Sequence, residues 1–460
     1  MLVVGLGCAG ACAAIEAARA GASTVVLERS GGGGGTSAMS GGLLYLGGGT
    51  PIQKACGFED TPQAMFDYMM AACGPGADEA LIRPYCEHSV EHFHWISELG
   101  VPYKAEYFPG NHEPFTSDEG LTYSGSEHVH PFREIAPPAP RGHIPRQVRN
   151  KGALLMQHLL AGAEGAGIET RLQARCEALV VARDGRVVGA VAGGPEGETR
   201  VRAHGGVVLC AGGFVYDAEM LARHAPQLAR CNAKVGTEND DGWGVKLGLA
   251  GGGEAIRMDT GDISLVLFPP NDLRRGIFVN RQGQRYLNED AYMGRCGELT
   301  LLGQDGRALL VVDDACFVRG AFPVEIAAVG DSVAELEAEL GLPESALQET
   351  VATYNRYAAK GEDPRFHKGA DYLASLESPP FAAIDLDPTV QMYAVFTLGG
   401  LHIDADARVL SASGEPVPGL FAAGRTTSGV AKQGYSSGMS LGDASFFGRR
   451  AGRNAAAAAR

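Results

Sequence analysis

The sequence predicts an α/β fold whose main domain is assembled from two separated parts of the chain, with an α+β domain inserted between them. The N-terminal residues read as strand, glycine-rich turn, helix and strand. Two later apolar runs, 206–214 and 419–425, each read as a buried strand that ends in small residues. Strands and helices alternate irregularly between these runs. The predicted parts are 1–252 and 398–460 for the main domain and 253–397 for the insert.

The N-terminal element matches the dinucleotide-binding fingerprint. An apolar strand at 2–4 is followed by an alanine-rich helix, and a second strand is predicted at 23–27. Glu28 ends this second strand, where a carboxylate can bind ribose hydroxyls. The alternative is a glycine-rich turn in an unrelated α/β fold. The spacing of Gly5, Gly7 and Gly10 allows a tight turn around a pyrophosphate at the helix N-terminus.

A second cluster of glycine and hydroxyl residues follows the fingerprint and favours FAD over NAD. A plain NAD domain does not need this cluster. The isoalloxazine ring of a flavin lies far from the adenine, so a second loop must hold it. A flexible loop is the alternative interpretation. The residues predicted to contact the cofactor here are Arg29, Gly35, Thr36, Ser37, Gly41 and Gly42.

The middle of the main domain contains a predicted strand at 168–171 and a predicted hairpin. Asp184-Gly185 separates the apolar runs 178–181 and 187–191, a pattern typical of a hairpin turn. The two buried strands that follow end in residues past which a ligand can approach the backbone closely. The predicted cofactor contacts at these ends are Ala211, Gly212, Gly424 and Arg425.

The insert is predicted to contain both strands and helices. Strands are expected at 276–280 and 308–312. One helix is expected at 332–340, and a second runs from Pro343 to about residue 359, with Ser345 as its N-cap.

The bulk composition excludes several classes of function. The chain has 460 residues and a formal net charge of −15, so we expect no nucleic-acid partner, because phosphate contacts need a basic face. We also expect no integral membrane segment and no signal peptide. The ten cysteines are scattered without a CxxC pair, which favours reduced thiols and a cytoplasmic location.

Two smaller expectations concern metals and the N-terminus. His128, His130 and His143 are not spaced as a metal site, so no metal is expected. The first strand is short at its start, which favours a natural start codon further upstream or a trimmed terminus.

Several motifs occur in the order found in one flavoprotein family: GLGCAG, GGTSAMSGG, VVLCAGGF, ENDDGWG, RYLNEDAY, FTLGG, and GLFAAGR followed by GMSLGD. The chain therefore resembles the fumarate reductase and 3-ketosteroid dehydrogenase flavoproteins over nearly its whole length. The resemblance implies a discontinuous Rossmann-like FAD-binding domain and an inserted α+β cap that covers the flavin, with the reaction site between them. In the last motif it also implies cofactor contacts from Ser440 and Leu441.

The subfamilies differ at the substrate. SGGLLYLGGGTPIQKACGF, PFREIAPPAPRGH and GYSSGMSLGDASFFGRRAG are most similar to the Δ4-(5α) branch of the ketosteroid dehydrogenases. Fumarate reductases carry a histidine just before the TxGG strand and an arginine in the final loop, where this chain has Tyr435. Without those cations a dicarboxylate would be poorly neutralised. The resemblance thus implies a small apolar ketone, a 3-ketosteroid, as substrate, and an unidentified electron acceptor or donor.

The final loop and the cap supply the predicted catalytic residues. A phenol donates a neutral hydrogen bond and has an apolar body, which suits a ketone oxygen beside fused rings. By resemblance, Tyr435 is assigned to the carbonyl, Tyr292 to proton transfer and Ser437 to a relay beside them. The hydrogen on the carbon beta to the ketone would pass to flavin N5 as a hydride. The base could be Tyr292 or Ser437, and a phenol needs a lowered pKa or a concerted relay to act as one.

Other interpretations remain open. Without the resemblance, both tyrosines would be packing residues and Ser437 a helix cap. The same fold could act at Δ1 or on a non-steroid enone, although the Δ1 enzymes carry proline after the loop tyrosine. A non-catalytic flavin-binding electron-transfer protein is the alternative from another class. Lys432 and Gln433 stand before Gly434, where small residues are expected, and the cation could face the flavin or narrow the pocket.

Overall fold

The computed structural model describes residues 1–195, 197–267, 271–320 and 322–459. Its strands are β1 Leu2–Val4, β2 Val25–Leu27, β3 Leu44–Tyr45, β4 Tyr107–Phe108, β5 Leu121–Thr122, β6 Gly142–His143, β7 Glu169–Arg171, β8 Arg175–Val181, β9 Val187–Gly194, β10 Gly197–Arg202, β11 Val207–Leu209, β12 Ala233–Lys234, β13 Ala255–Ile256, β14 Gly261–Leu265, β15 Ile277–Asn280, β16 Ala308–Asp313, β17 Ile326–Gly330, β18 Phe381–Asp385, β19 Tyr393–Thr397, β20 Gly400–Leu401, β21 Arg408–Leu410 and β22 Pro416–Ala422. Its helices are α1 Cys8–Arg19, α2 Gly35–Met39, α3 Pro51–Ala55, α4 Pro62–Ala72, α5 Glu79–Glu87, α6 Ser89–Glu98, α7 Phe132–Ile135, α8 Lys151–Gly165, α9 Ala218–His224, α10 Trp243–Ala250, α11 Met293–Leu301, α12 Val333–Glu339, α13 Ala346–Ala358 and α14 Met439–Ala457. Short 3-10 turns lie at Leu228–Arg230, Asn271–Arg275, Ala370–Tyr372 and Gly424–Thr426.

The main sheet has the strand order β21-β22-β11-β1-β2-β7, so it combines both ends of the chain. The strands from β22 to β7 run parallel, and β21 pairs antiparallel at the edge. Leu2 of β1 lies opposite both Val25 and Val207. The side chains of β1 and β11 are all buried, as expected for a parallel sheet covered on both faces. The predicted α/β class is confirmed, while the insert limits of 253 and 397 remain a prediction.

Helices α1 and α14 pack closely because both are rich in small residues. A Cβ on Gly448 would overlap the carbonyl oxygen of Ala9, and one on Gly452 would overlap that of Ala13. Glycine at these two positions lets the backbones touch, which fixes the last helix against the fingerprint helix.

The hairpin is present as predicted, with β8 and β9 joined around Asp184-Gly185. Gly185 has a φ of +83°, which suits glycine in the turn. The strand predicted at 168–171 does not join the hairpin. It forms β7, which pairs in parallel with β2 at the edge of the main sheet.

The insert contains the antiparallel sheet β15-β16-β18-β17, with α12 packed on it and α13 packed on α12. Ser345 occupies the N-cap position of α13, as predicted, but its hydroxyl does not supply the cap. Ser345 has a φ of +68° and makes no side-chain cap bond. The Glu337 carboxylate instead accepts from the backbone N–H groups of Ser345 and Leu347 at 2.7 Å each. A charged acceptor binds a helix N-terminus more strongly than a hydroxyl, which explains the exchange.

A further sheet, β12-β19-β14, connects the insert to the main domain. Strand β14 runs antiparallel to β19 with Asp262 opposite Phe396 and Ser264 opposite Ala394. Helix α11 packs against β14. In the part of the chain that the structure describes, no helix has the length and apolar character needed to cross a membrane.

Candidate active site

A cavity of about 440 Å³ extends from the turn after β1 to the loop before α14. Its wall includes residues of the main sheet, the second glycine loop, β14, β19 and the start of α11. All residues predicted to contact the cofactor lie on this wall except Gly10, and so do Tyr292, Tyr435 and Ser437. Folding therefore brings residues from both ends of the chain and from the insert into one site.

Gly10 lies beneath the turn instead of on the wall. A Cβ on Gly10 would overlap the carbonyl oxygen of Gly5, and a Cβ on Gly5 would overlap that of Cys210. Gly5 also has a φ of +97°. The turn is thus compact enough to reach a ligand only with glycine at both positions. The role of Gly10 is to let the helix pack closely against the turn.

Two helices begin at this cavity after a glycine N-cap, which has no side chain to accept from the first turn: α1 after Gly7 and α14 after Gly438. A helix N-terminus presents backbone N–H groups and a partial positive charge, which attract anionic groups. Ser37 Oγ accepts from the N–H of Cys8 at 3.2 Å and so ties the second glycine loop to the start of α1. The arrangement fits a pyrophosphate between the two loops.

The Glu28 carboxylate lines the cavity at the end of β2. Its Oε2 accepts from the N–H of Leu6 at 2.9 Å, and its Oε1 accepts from the N–H of Ser30 at 2.8 Å. These bonds orient the carboxylate toward the turn that the fingerprint predicts, while the ribose contact itself remains a prediction.

Asp240, from the ENDDGWG motif, joins three parts of the cofactor wall. Its Oδ2 accepts from Thr36 Oγ1 at 2.8 Å and from Arg425 Nη2 at 2.6 Å. Its Oδ1 accepts from the N–H of Gly213 at 3.1 Å. A Cβ on Gly212, whose φ is +82°, would overlap the same carboxylate. The second glycine loop, the end of β11 and the segment after β22 are therefore fixed to one buried side chain.

These features together fit FAD. The glycine cradle and the uncapped start of α1 suit the pyrophosphate, and Gly35, with a φ of +47°, has open space where a Cβ would stand. The cavity then continues past the second loop toward β14 and the loop before α14. A flavin needs that additional length, whereas a cofactor confined to the first loop does not.

The predicted catalytic side chains meet at the far end of the cavity. The hydroxyls of Tyr292 and Ser437 are 3.0 Å apart, and the rings of Tyr292 and Tyr435 have centroids 6.4 Å apart. Tyr435 also packs edge-on against Phe396, with centroids 5.2 Å apart. Ser437 therefore contacts Tyr292 and does not cap the last helix, which begins after Gly438 without a side-chain cap.

The position of Tyr435 follows from the start of α14. The N–H of Ser440, in the first turn of the helix, donates to the Tyr435 hydroxyl at 3.1 Å. This bond occupies a lone pair of the phenol oxygen, so the phenol proton stays available for an acceptor in the cavity. The helix dipole also favours negative charge near this oxygen.

A buried ion cluster in the insert holds the segment that leads to Tyr292. Arg285 pairs with Glu289 at 2.7 Å and with Asp363 at 3.0 Å, and Lys368 approaches Glu289 at 3.4 Å. Glu289 is fully buried and lies three residues before Tyr292. Charge-assisted bonds to a buried carboxylate fix the backbone strongly, so the cluster orients this segment.

The segment 124–126 connects the insert and the final loop. Ser126 Oγ accepts from the N–H of Tyr292 at 3.0 Å, and the carbonyl oxygen of Ser124 accepts from the N–H of Ser437 at 2.8 Å. Tyr68 shares a hydrogen bond of 2.8 Å with Ser436. We call residues 124–126 the bracket, because their hydrogen bonds fix the distance between Tyr292 and Ser437.

The wall around the two tyrosines is largely apolar, and includes Val266, Phe322, Ala394 and Phe396. The arginines that the structure places on the cavity wall are paired with carboxylates: Arg425 with Asp240, and Arg29 and Arg175 with Asp241. Lys432 is not on the wall, and its Nζ donates to the carbonyl oxygen of Pro75. The expectation that Lys432 could face the flavin is thus wrong, because the side chain turns toward the loop after α4.

The FAD binding domain family matches residues 1–441 of this chain. The chain belongs to this family. Its cofactor is FAD, and the chain is an FAD-dependent oxidoreductase. The proteins to which the chain is similar include steroid dehydrogenases and a fumarate reductase.

The 3-ketosteroid-Δ4-(5α)-dehydrogenase of Rhodococcus jostii RHA1, solved with 4-androstene-3,17-dione, is 47% identical, with a TM-score of 0.94 over 99% of this chain and 96% of that one. The 3-oxo-5-alpha-steroid 4-dehydrogenase of Comamonas testosteroni is 30% identical over 92% of each chain. The probable fumarate reductase Ifc3 of Shewanella frigidimarina is 29% identical over 99% of this chain and 74% of its own. The predicted resemblance to the fumarate reductase and 3-ketosteroid dehydrogenase flavoproteins is confirmed.

Burial sets the protonation of the two tyrosines in this flavoprotein. It raises the pKa of Tyr292 well above the usual phenol value, and nearby Asp262 and Tyr435 raise it further. Burial likewise raises the pKa of Tyr435. Both phenols are therefore protonated near neutral pH. Of the two routes by which Tyr292 could take part in proton removal, the concerted relay agrees with this pKa and a lowered pKa does not.

Residues that sequence reasoning missed lie at both ends of the cavity. At the cofactor end they include Ser30, Asn239, Asp240 and Asp241, and at the catalytic end Asp262, Ser264 and Phe396. The sequence could have indicated Asp262 and Ser264, because polar residues two positions apart in an apolar strand lie on the same face of it. Within the described residues, no cluster of histidine, cysteine, aspartate or glutamate is placed to hold a metal ion, and the absence of a metal remains a prediction.

Proposed function

We propose that this flavoprotein introduces, or in the reverse direction reduces, the C4–C5 double bond of a 3-ketosteroid. The observation that carries the proposal is the meeting of Tyr435 with the Tyr292–Ser437 pair at the apolar end of the FAD cavity. The 47% identity to a 3-ketosteroid-Δ4-(5α)-dehydrogenase over nearly the whole chain supports the same reaction.

The apolar end of the cavity suits a fused-ring ketone. Phe396 and Val266 offer apolar contact, while the Tyr435 hydroxyl offers a hydrogen bond to the ketone oxygen. A dicarboxylate would meet no unpaired arginine among the described wall residues, since Arg425 is bound to Asp240. The site therefore favours a neutral ketone over fumarate.

Tyr435 would stabilise the enolate that forms when the proton alpha to the ketone leaves. A protonated phenol whose oxygen already accepts from a helix N–H is a strong donor to a developing oxyanion. Tyr292 and Ser437, 3.0 Å apart, would receive the alpha proton, and the structure leaves either as the first acceptor. Bound FAD supplies the acceptor for the hydride that leaves the beta carbon.

The test is anaerobic bleaching of the visible flavin band. The FAD-loaded protein is mixed separately with 5α-androstane-3,17-dione and 5β-androstane-3,17-dione, and the product is identified by mass spectrometry. We expect rapid bleaching with one epimer and a Δ4-enone product. A Δ1 product, or bleaching only by a non-steroid ketone, would replace the substrate assignment and keep the flavin chemistry. No bleaching by any ketone or enone would favour the electron-transfer alternative.

Two parts of the proposal concern the surroundings of the enzyme. The reduced cofactor needs an electron acceptor, or a donor in the reverse direction, whose identity the site does not specify. All ten cysteines are free, and this supports the predicted cytoplasmic location, because free thiols persist in reducing compartments.

A further inference from the structure

We propose that Asp262 receives the substrate proton through Ser264 and Tyr292, and passes it to solvent past Glu298. This inference rests on the proposed function, because it concerns the proton that dehydrogenation of a ketone releases. Asp262 lines the cavity beside Tyr292, and in the relay it acts through Ser264 and Tyr292, so it is a positioning residue.

Strand β14 places two polar side chains beside Tyr292. Asp262 and Ser264 are two residues apart and share one face of the strand. Ser264 Oγ donates to Asp262 Oδ2 at 2.7 Å. The Ser264 hydroxyl lies close enough to the Tyr292 phenol to lower the pKa of that phenol, and the Ser437 hydroxyl lies 3.0 Å from it. Ser437, Tyr292, Ser264 and Asp262 are therefore successive neighbours, and the last of them is a carboxylate.

Close packing of α11 on β14 removes any side chain between Tyr292 and Asp262. A Cβ on Gly294 would stand 2.5 Å from Asp262 Oδ1 and 2.6 Å from Tyr292 Cε1. Only glycine therefore lets the aspartate and the tyrosine approach at this point.

The Asp262 carboxyl can exist in both protonation states near neutral pH. It is 6% exposed, and within the described residues it forms no ion pair. Burial raises its pKa to about 7, Glu298 adds to the rise, and the bond from Ser264 opposes it. Arg295 lines the space behind it, and Tyr435 and Cys231 are the other titratable groups that face it. A relay terminus must both accept and release a proton at working pH, and these surroundings allow both.

A second, smaller cavity of about 30 Å³ lies behind the two tyrosines. Asp262, Tyr292, Glu298 and Gln433 are among the residues that line it. This volume suits one or two water molecules, and the polar lining gives them partners. Gln433 is exposed, and its side chain donates to Glu298 at 3.1 Å, so Glu298 marks the exit toward solvent.

In the direction of dehydrogenation, the substrate proton passes along the relay in separate transfers. The C–H bond alpha to the ketone breaks, its electron pair becomes the enolate, and the proton enters the Ser437–Tyr292 pair. One proton moves from Tyr292 to Ser264 and one from Ser264 to Asp262, so both hydroxyl groups are restored and a carboxylic O–H forms. The acid then loses its proton to water in the small cavity. The hydride leaves separately to the cofactor.

The test is the pH dependence of a single turnover. Wild-type protein loaded with FAD is mixed with the active androstanedione epimer in a stopped-flow instrument at pH values on both sides of neutrality. The bleaching rate should rise with pH as Asp262 loses its proton. Asp262→Asn keeps the shape and cannot take a proton, so its rate should fall by about 100-fold and lose this pH dependence. Its affinity for the enone product and its Tm should stay near the wild-type values.

Three further variants make the result specific. Ser264→Ala interrupts the path and should also abolish the pH dependence, which provides a second test if Asp262→Asn does not fold. Glu298→Gln should slow proton release to an unbuffered, dye-containing solution. Asp259→Asn, an exposed aspartate just before β14, is the matched control and should behave as wild type.

The inference is overturned if Asp262→Asn or Ser264→Ala keeps the wild-type pH dependence, whatever its rate. It is also overturned if the affinity for the enone product and the bleaching rate of these variants fall together while the pH dependence persists. That result would assign Asp262 and Ser264 a structural role. Failure of the proposed function has a different signature, because wild-type protein would then fail to bleach with every ketosteroid.

Discussion

The cofactor end of the cavity depends on glycines that let backbone segments approach closely, whereas the catalytic end depends on hydroxyl side chains. The cofactor end depends on Gly5, Gly10 and Gly212, where an added Cβ would overlap a neighbouring oxygen. The catalytic end depends on hydroxyl groups that are held by the bracket and by β14. Changes at the first end should act on FAD retention and folding, and changes at the second on rate with FAD still bound.

The largest effect is expected from Gly10→Ala. The new methyl would meet the carbonyl oxygen of Gly5, which cannot move without opening the turn. We expect a loss of stability of at least about 1–3 kcal/mol and loss of FAD on purification, measured by thermal unfolding and by the ratio of visible to ultraviolet absorbance. Gly31→Ala is the matched control, since no atom lies within 4 Å of its added Cβ. Full FAD retention by Gly10→Ala would remove the contrast between the two ends.

Tyr435→Phe comes next. It removes the donor to the ketone oxygen and keeps the ring against Phe396, so FAD should remain bound while the bleaching rate falls by about 100- to 1,000-fold. Tyr286→Phe is the control, because that hydroxyl bonds to Thr300 at 2.8 Å away from the cavity. Its rate should be near wild type with a stability loss of about 1 kcal/mol. A near wild-type rate for Tyr435→Phe would argue against its contact with the ketone.

Ser126→Ala should give an intermediate effect. It leaves the buried N–H of Tyr292 without its acceptor, at a cost of about 1–3 kcal/mol in unfolding free energy. The bleaching rate should fall by roughly tenfold because Tyr292 shifts relative to Ser437, while product affinity changes little. Ser124→Ala is the matched control, since the Ser124 hydroxyl has no hydrogen-bond partner among the described residues. Equal behaviour of the two variants would show that the bracket does not position Tyr292.

The smallest effect is expected from Lys432→Ala. The Lys432 ammonium donates to Pro75 and does not line the cavity, so rate and FAD content should stay within about twofold of wild type. The measurement is the same stopped-flow assay at two salt concentrations. A tenfold change in rate would place this charge near the flavin and weaken the division between the two ends.

The sequence by itself determined the fold class, the cofactor and the general location of the site. The turn at Gly5 to Gly10 and the strands beside it are local, so consecutive residues report them through spacing and periodicity. The order of the motifs carried the resemblance to the ketosteroid dehydrogenases and pointed to Tyr435. The hairpin at Asp184-Gly185 was predictable for the same local reason.

Only the tertiary structure decided which distant groups touch. Asp240 joins three parts of the cofactor wall, the bracket holds Tyr292, and Asp262 stands behind that tyrosine across a glycine of α11. The replacement of Ser345 by the Glu337 carboxylate as a helix cap belongs here too. These contacts join residues far apart in the chain, and no local spacing encodes them. They form when the sheets and helices pack, because a buried polar group without a partner is costly and most such groups therefore pair.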